Sequence, residues 1–182
     1  MKFKNIVLTI SLFIITQLIV AQETPKSTEL ILNNTFQQAK KENKNVFIMF
    51  KASWCKWCKK MEATMNDETI SKYFTDNYII QHLVVLESAK NKNLENLGAE
   101  NLLNKYGGKN QGIPFFLIFD SEADLLADSK MITGEEILKS EGDNIGCPGT
   151  DEEIDAFIFK LQQTSNINTE ELLAIAKQSK LN

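Results

Sequence analysis

The sequence predicts an α/β fold in which a central mixed sheet is flanked by helices. Two apolar runs rich in β-branched and aromatic residues, 46–50 and 78–86, are typical of strands buried on both faces. A third apolar run at 115–119 follows a Gly-Ile-Pro tripeptide and precedes a turn. Helical segments separate and follow these runs, and this order of elements favours a sheet covered by helices.

The first 21 residues are predicted to be a secretory signal peptide. Lys2 and Lys4 precede an apolar run at 6–20, and Ala21 provides a small-residue exit. The run is too short for a membrane span, which needs about 20 residues. We therefore expect an exported protein, periplasmic or extracellular, that is not membrane-bound once residues 1–21 are removed. An uncleaved anchor is the minor alternative.

Composition limits the partners and the number of domains. The 182-residue chain has a formal net charge of −4, and all 20 of its basic residues are lysines. An acidic chain without arginine is a poor candidate for binding nucleic acid. Its length fits one domain, which we expect to be monomeric and to occupy residues 33–182 after a linker at 22–32.

The region before the first strand is expected to contain one helix. Within the linker, residues 28–32 are predicted to form a short edge segment. Asn33 or Asn34 is then the expected N-cap of a helix that ends near Glu42.

Two cysteines three positions apart follow the first strand, where a helix is predicted to begin. Ser53 is the expected N-cap, and residues 55–65 contain no glycine or proline. A Cys55 sulfur in the first helical turn would lie near unpaired backbone N–H groups and the positive end of the helix dipole, which favour the thiolate. Cys58, one turn further, is within disulfide reach and is expected to lie deeper against the core. The pattern predicts a redox dithiol with an exposed, nucleophilic Cys55 and a resolving Cys58.

Two neighbours of these cysteines are expected to tune the dithiol, and two others, Trp54 and Trp57, to contribute to substrate binding. Lys56 and Lys59 should lower the pKa of Cys55, because a nearby cation favours the thiolate. Trp54 and Trp57 should give the disulfide an apolar rim.

Other interpretations of the cysteines are weaker. Zinc needs four ligands, and only Cys147 and His82 could join the pair, at irregular spacing, so no metal site is expected. A purely structural disulfide of this spacing closes too small a loop to constrain the unfolded chain much. Cys147 is expected to be a quiet, buried thiol, and His82 a core or edge residue rather than a catalytic base.

The middle of the chain predicts a crossover and an insertion. A helical stretch that starts at Asp67 leads into the strand at 78–86, and together with the first strand it forms a right-handed βαβ unit. Residues 88–110 are a polar insertion with a helical patch at 94–106.

The last third predicts an antiparallel edge and two closing helices. Pro114 opens the strand that ends at 119, a position where a missing N–H is tolerated, and we predict a cis Ile113–Pro114 bond. A turn then leads into a strand at 125–132, and residues 134–150 are rich in loops. Thr150 is the expected N-cap of a helix that is followed by a last one; the two helices span 151–162 and 169–180.

The motifs together resemble the thioredoxin-like superfamily. They are Trp54-Cys55-x-x-Cys58-Lys59, then Lys105-Tyr106-Gly107 followed by Gly112-Ile113-Pro114. The resemblance covers residues 33–162 and is strongest to exported members with a W-C-x-W-C-K-x-M motif. It implies a thioredoxin-like fold with an inserted helical segment before the cis-proline and an extra C-terminal helix.

The resemblance also implies a function. Cys55 would attack a substrate disulfide, Cys58 would resolve the mixed disulfide, and Pro114 with the Ile113 backbone would hold the substrate strand beside the sulfurs. We expect a protein-disulfide oxidoreductase without a cofactor, with exported proteins as substrates and a separate, unidentified redox partner. The alternative is a non-catalytic thioredoxin-like binding module with a structural disulfide.

Two departures from the family affect the mechanism. Lys56-Trp57 replaces the frequent Gly-Pro between the cysteines, and a charge beside the thiolate should make the disulfide more oxidising. Met49 stands where thioredoxin has a buried Asp as proton acceptor. Glu62, one turn beyond Cys58, is the nearest candidate for that role, and Lys51 is a weaker one.

Overall fold

The structure is a computed structural model that describes residues 25–131 and 142–181. The predicted signal peptide, residues 1–21, lies outside the described residues. Within the described ranges, no helix combines the length and the apolar character needed to cross a bilayer. In chain order, the elements are α1 (Thr28–Glu42), β1 (Asn45–Lys51), α2 (Lys56–Met65), α3 (Ser71–Asn77), β2 (Tyr78–Val84), a 3-10 helix (Ala89–Leu94), α4 (Ala99–Lys105), β3 (Phe115–Phe119), β4 (Leu125–Asp128), α5 (Asp151–Thr164) and α6 (Thr169–Leu181).

The four strands form one mixed sheet in the order β2-β1-β3-β4. The pairing of β1 with β2 is parallel, with α2 and α3 in the crossover, whereas β1 with β3 and β3 with β4 are antiparallel. The expected α/β fold with a mixed sheet, a βαβ unit and an antiparallel edge is thus confirmed. Both β2 and β4 are shorter than predicted, ending at Val84 and Asp128.

Alternating side chains of the central strands build a separate core on each face of the sheet. Phe47 and Phe116 stack at 5.2 Å and face α2, α3, α5 and α6. Ile48 and Leu117 face the opposite way, toward α1 and α4. Burying a side chain of this size contributes roughly 1.5–3 kcal/mol. Because both faces are covered, β1 and β3 are apolar at nearly every position.

Helix α1 begins earlier than the sequence predicted. Ser27 is its N-cap, and the Ser27 side chain accepts a hydrogen bond from the Leu30 amide at 3.3 Å. Residues 28–32, expected to be linker and edge segment, are therefore helix, and the prediction of a cap at Asn33 or Asn34 is wrong. Ile31 and Leu32 pack against the core on this side of the sheet, which stabilises the additional turns.

The insertion and the last two helices differ from the predictions only in their bounds. Of the predicted helical patch at 94–106, only Ala99–Lys105 is α-helix, and Gly98 with φ of +89° is the residue before it. A separate 3-10 helix, Ala89–Leu94, lies mostly before the predicted patch. Helix α5 begins at Asp151 with Thr150 as its N-cap, as predicted, and Thr150 and Glu153 form a reciprocal capping box.

Candidate active site

The two cysteines form a disulfide at the N-terminus of α2. Their Cα atoms are 5.3 Å apart, and the disulfide links the helix N-cap to the residue one turn further on. Cys55 itself is the N-cap, so the prediction of Ser53 as the cap is wrong. The Cys58 amide donates to Cys55 Sγ at 3.0 Å. This N–H group is one of those that a helix start leaves without a backbone partner, and it would stabilise negative charge on the sulfur after reduction.

The disulfide is more deeply buried than the sequence predicted. Cys58 is fully buried, as expected, but Cys55 is only 2% exposed, so the expectation of an exposed Cys55 is wrong for the disulfide form. Ala52 and Ile113 pack around the two sulfurs and cover them.

The tryptophans beside the cysteines form an exposed apolar rim. Trp54 and Trp57 are 55% and 59% exposed, unusually high for side chains of this size. The Trp54 indole N–H donates to the Leu86 carbonyl at 2.8 Å, and the Lys60 ammonium lies 4.8 Å from the Trp57 ring. Both indoles thus have a polar contact, and more than half of each side chain is exposed.

The two lysines expected to tune the dithiol lie on the outer surface of α2. Lys56 and Lys59 are both exposed, and neither forms an ion pair with a residue in the described parts of the chain.

The proline loop lies directly against the dithiol. The Ile113–Pro114 bond is cis, as predicted from the sequence. The carbonyl oxygen of Ile113 lies 3.5 Å from Cys55 Sγ. Although these residues are 58 positions apart, the fold brings them together because β1 and β3 are hydrogen-bonded neighbours in the sheet.

A groove of about 490 Å³ begins at this loop and runs along α2 to the start of α5. Trp57, Lys60 and Pro114 line the side nearest the disulfide, and Cys147 lines the opposite side. Cys147 is half-buried at the edge of the core rather than buried as expected. Burial raises the pKa of the Cys147 thiol, and the positive charge of Lys60 only partly opposes this effect.

The two candidate proton acceptors form a half-buried cluster with the single histidine. Glu62 pairs with the Lys51 ammonium and also lies 3.1 Å from His82 Nδ1. His82 lies on the edge strand β2, consistent with the predicted core or edge position, and is directly opposite Met49 of β1. Burial lowers the pKa of His82, Glu62 opposes this shift, and Lys51 adds to it.

Sequence reasoning missed two residues that hold the loops of this site. Glu87 accepts hydrogen bonds from Ser53, and the Asn144 side-chain amide donates to the Pro114 carbonyl at 2.9 Å. Both follow strands or lie in loops, and no local pattern distinguishes them from solvated polar residues. Their partners lie 34 and 30 positions away in the sequence.

The four residues weighed as zinc ligands do not converge. Cys55 and Cys58 are joined to each other, and His82 contacts Glu62. In the described ranges no three His, Cys, Asp or Glu side chains are grouped as metal ligands would be.

Comparison with solved structures finds three similar chains, among others. A disulphide isomerase from Xylella fastidiosa Temecula1 is 16% identical, with a TM-score of 0.47, over 61% of this chain and 79% of that one. The oxidised C-terminal domain of DsbD from Neisseria meningitidis is 21% identical, with a TM-score of 0.42, over 58% and 84%. The thioredoxin domain of a thiol-disulfide oxidoreductase from Bacteroides vulgatus is 19% identical, with a TM-score of 0.36, over 56% and 76%.

Comparison with curated proteins finds no match. Comparison with protein families finds a model described as thioredoxin-like, which matches residues 28–121. The matched range begins with α1 and ends just after β3, so it contains the disulfide and the proline loop.

Proposed function

We propose that this chain, which belongs to the thioredoxin-like family, is a thiol-disulfide oxidoreductase that exchanges disulfides with exported proteins. One observation carries the proposal: the Cys55–Cys58 disulfide lies at a helix N-terminus, with Cys55 Sγ beside both the Cys58 amide and the Ile113 carbonyl. A sulfur in this position is stabilised as a thiolate and lies next to backbone groups that can pair with an extended substrate. The predicted signal peptide at 1–21 supports export.

The reduced form would act in two balanced exchanges. The Cys55 thiolate attacks one sulfur of a substrate disulfide, the substrate S–S bond breaks, and the departing substrate sulfur leaves as a thiolate. The Cys58 thiol then loses its proton and attacks Cys55 Sγ, which releases the second substrate sulfur and forms the Cys55–Cys58 disulfide. Two electrons pass from the dithiol to the substrate. The reverse sequence oxidises a substrate dithiol, and the redox partner determines which direction prevails.

The proton of Cys58 needs an acceptor, because Met49 occupies the position of the family's aspartate. Glu62 is the residue proposed for this role, since it follows Cys58 by one helical turn and its carboxylate is only 21% exposed. The carboxylate contacts the Lys51 ammonium and lies 3.1 Å from His82 Nδ1, so a proton taken from Cys58 would enter a cluster of polar groups.

The test is to trap the mixed disulfide. Cys58→Ser leaves the nucleophile but removes the thiol that frees it, so covalent complexes with exported proteins should accumulate and should disappear on reduction. Cys55→Ser/Cys58→Ser is the matched control and should form none. Cys147→Ser should leave trapping intact, because burial raises the pKa of that thiol and so reduces its thiolate fraction.

A non-catalytic binding module is the second candidate, and the burial of Cys55 favours it. In that case Cys58→Ser would trap nothing under oxidising conditions, and the reduced wild-type protein would not cleave a model disulfide such as that of insulin. Trapping that requires Cys147 would instead indicate a mechanism with three thiols.

A further inference from the structure

The segment that follows β2, residues 86–95, contacts the loop that leads into the dithiol. Glu87 is the central residue of this contact and is only 5% exposed. One oxygen of its carboxylate accepts the Ser53 amide at 2.5 Å, and the other accepts the Ser53 hydroxyl at 2.8 Å. The two hydrogen bonds hold both the backbone and the side chain of Ser53.

A second contact from the same segment holds the next residue of the loop. The Leu86 carbonyl accepts the Trp54 indole N–H at 2.8 Å. Leu86 has a φ of +54°, a left-handed conformation that a leucine rarely adopts. Such backbone outliers persist only where surrounding contacts enforce them, and they cluster at functional sites.

The segment is itself anchored, so it can restrain the loop. The Glu87 amide donates to the Glu95 carboxylate at 2.7 Å, and Lys92 donates to the same carboxylate at 2.8 Å. Asn96, just beyond the segment, accepts the Val84 amide at 2.8 Å and so ties the segment to the end of β2.

We propose that Glu87 is a positioning residue for the Cys55–Cys58 dithiol. Glu87 holds Ser53 directly, and the adjoining Leu86 carbonyl holds Trp54. Together these contacts keep the loop between β1 and α2 in the conformation in which Cys55 caps α2 and the Cys55 sulfur faces the Cys58 amide. The insertion at 88–110 then supports the redox loop through Glu95 rather than holding a partner. The effect on turnover rests on the proposed function, whereas the effect on the dithiol itself does not.

The expected consequence is a less stable Cys55–Cys58 disulfide when this support is lost. A loop free to sample other conformations places the two thiols in bonding geometry less often, so closing the disulfide costs more conformational entropy. In Glu87→Ala we expect the equilibrium constant for disulfide formation against glutathione to fall about tenfold, which raises the reduction potential by about 30 mV for two electrons.

Three variants and one control separate positioning from general stability. Glu87→Gln keeps an acceptor for the Ser53 amide and a group that can pair with its hydroxyl, so it should remain within about twofold of the wild type. Ser53→Ala keeps the amide contact with Glu87 but loses both contacts of the hydroxyl, to Glu87 at 2.8 Å and from the Asn91 amide at 3.3 Å, and its constant should lie between those of Glu87→Ala and Glu87→Gln. Glu100→Ala, an exposed carboxylate on α4, is the control and should leave the constant unchanged. Melting temperatures are recorded for each variant in both redox states.

The proposal is overturned if Glu87→Ala melts at a lower temperature but keeps the wild-type equilibrium constant. It is also overturned if Glu87→Gln is as impaired as Glu87→Ala, since the charge and not the hydrogen bonds would then matter. Should Glu87→Ala fail to fold, Ser53→Ala and Glu87→Gln still provide the comparison, and equal constants for wild type and Ser53→Ala would overturn the proposal. If Cys58→Ser forms no covalent complexes with exported proteins while the equilibrium constants of the variants are as expected, the proposed function is rejected. The positioning role of Glu87 is then retained.

Discussion

At the residue scale, the polar groups near the dithiol occupy positions that differ from the family's pattern. Met49 is fully buried in the core, so no carboxylate occupies the place of the family's aspartate. The polar groups instead lie at Lys51, Glu62 and His82, where Glu62 contacts both of the other two side chains. The cluster thus gives the Glu62 carboxylate polar partners outside the apolar core.

His82 gives a direct measurement of this cluster, because it is the single histidine of the chain. Burial lowers its pKa, so its ring resonances in an NMR titration should have a midpoint below the ordinary value of about 6.5. The unfolded chain then binds this proton more tightly than the folded protein does. The free energy of unfolding should therefore fall as the pH drops below about 6.5, through the folded pKa.

Two substitutions should move that midpoint in opposite directions. Glu62→Gln removes the charge that raises the pKa of His82, so the midpoint should fall further, whereas Lys51→Met should raise it. If both substitutions shift the His82 midpoint in the same direction, or if neither shifts it, the electrostatic account of the cluster is contradicted.

At the element scale, α1 depends on contacts that its sequence does not reveal. Thr28 begins the helix and is 5% exposed, yet its hydroxyl has no hydrogen-bond partner among the described residues. Thr35, on the same helix and 4% exposed, donates its hydroxyl to the Ile31 carbonyl at 2.8 Å and lies 3.2 Å from the Gln81 side-chain oxygen. The two threonines differ in whether the buried hydroxyl is satisfied.

This difference predicts opposite effects of the same substitution. Thr28→Val removes an unpaired buried hydroxyl and should raise the free energy of unfolding by about 1 kcal/mol. Thr35→Val removes a hydrogen-bonded hydroxyl and leaves Gln81 without this contact. It should lower the free energy of unfolding by about 1 kcal/mol. Urea denaturation of the two variants and of the wild type measures both changes in the free energy of unfolding. A loss of stability in Thr28→Val would show that its hydroxyl is satisfied in solution.

At the scale of the whole molecule, one side chain joins the two sides of the groove. Asn144 donates to the carbonyls of Gln111 and Pro114 on one side, and its oxygen accepts from Ser129 and from the Gly146 amide on the other. The proline loop and the loop that carries Cys147 are thus held at a fixed separation.

Removing this link should affect both stability and substrate handling. Asn144→Ala leaves the fully buried Ser129 hydroxyl without its acceptor, and we expect the free energy of unfolding to fall by about 2–3 kcal/mol. Because the Pro114 carbonyl is also released, KM for a disulfide substrate should rise more than kcat falls. Asn101→Ala, an exposed residue on α4, is the control and should change neither quantity. Unchanged stability in Asn144→Ala would show that its contacts are not maintained in solution.

The sequence by itself determined the features that short-range patterns encode. The apolar runs of β1 and β3 predict strands covered on both faces, and the C-x-x-C spacing places two thiols one helical turn apart, where a disulfide can form. The tripeptide before β3 predicted the cis bond, which the structure confirms. The roles of the individual site residues remain predictions until the variants are measured.

The tertiary structure alone decided which residues distant in sequence pack on the disulfide and which ones hold the loops beside it by hydrogen bonds. Cys55 is buried because Ile113, 58 positions away, packs on it, and Ser53 is held by Glu87 instead of capping α2. A local pattern reports the preferences of a backbone and its neighbours within a few residues. Glu87 and Asn144 resemble any other polar loop residue until the sheet order β2-β1-β3-β4 brings their partners within hydrogen-bonding distance, because such bonds depend on positions in space rather than on separation along the chain.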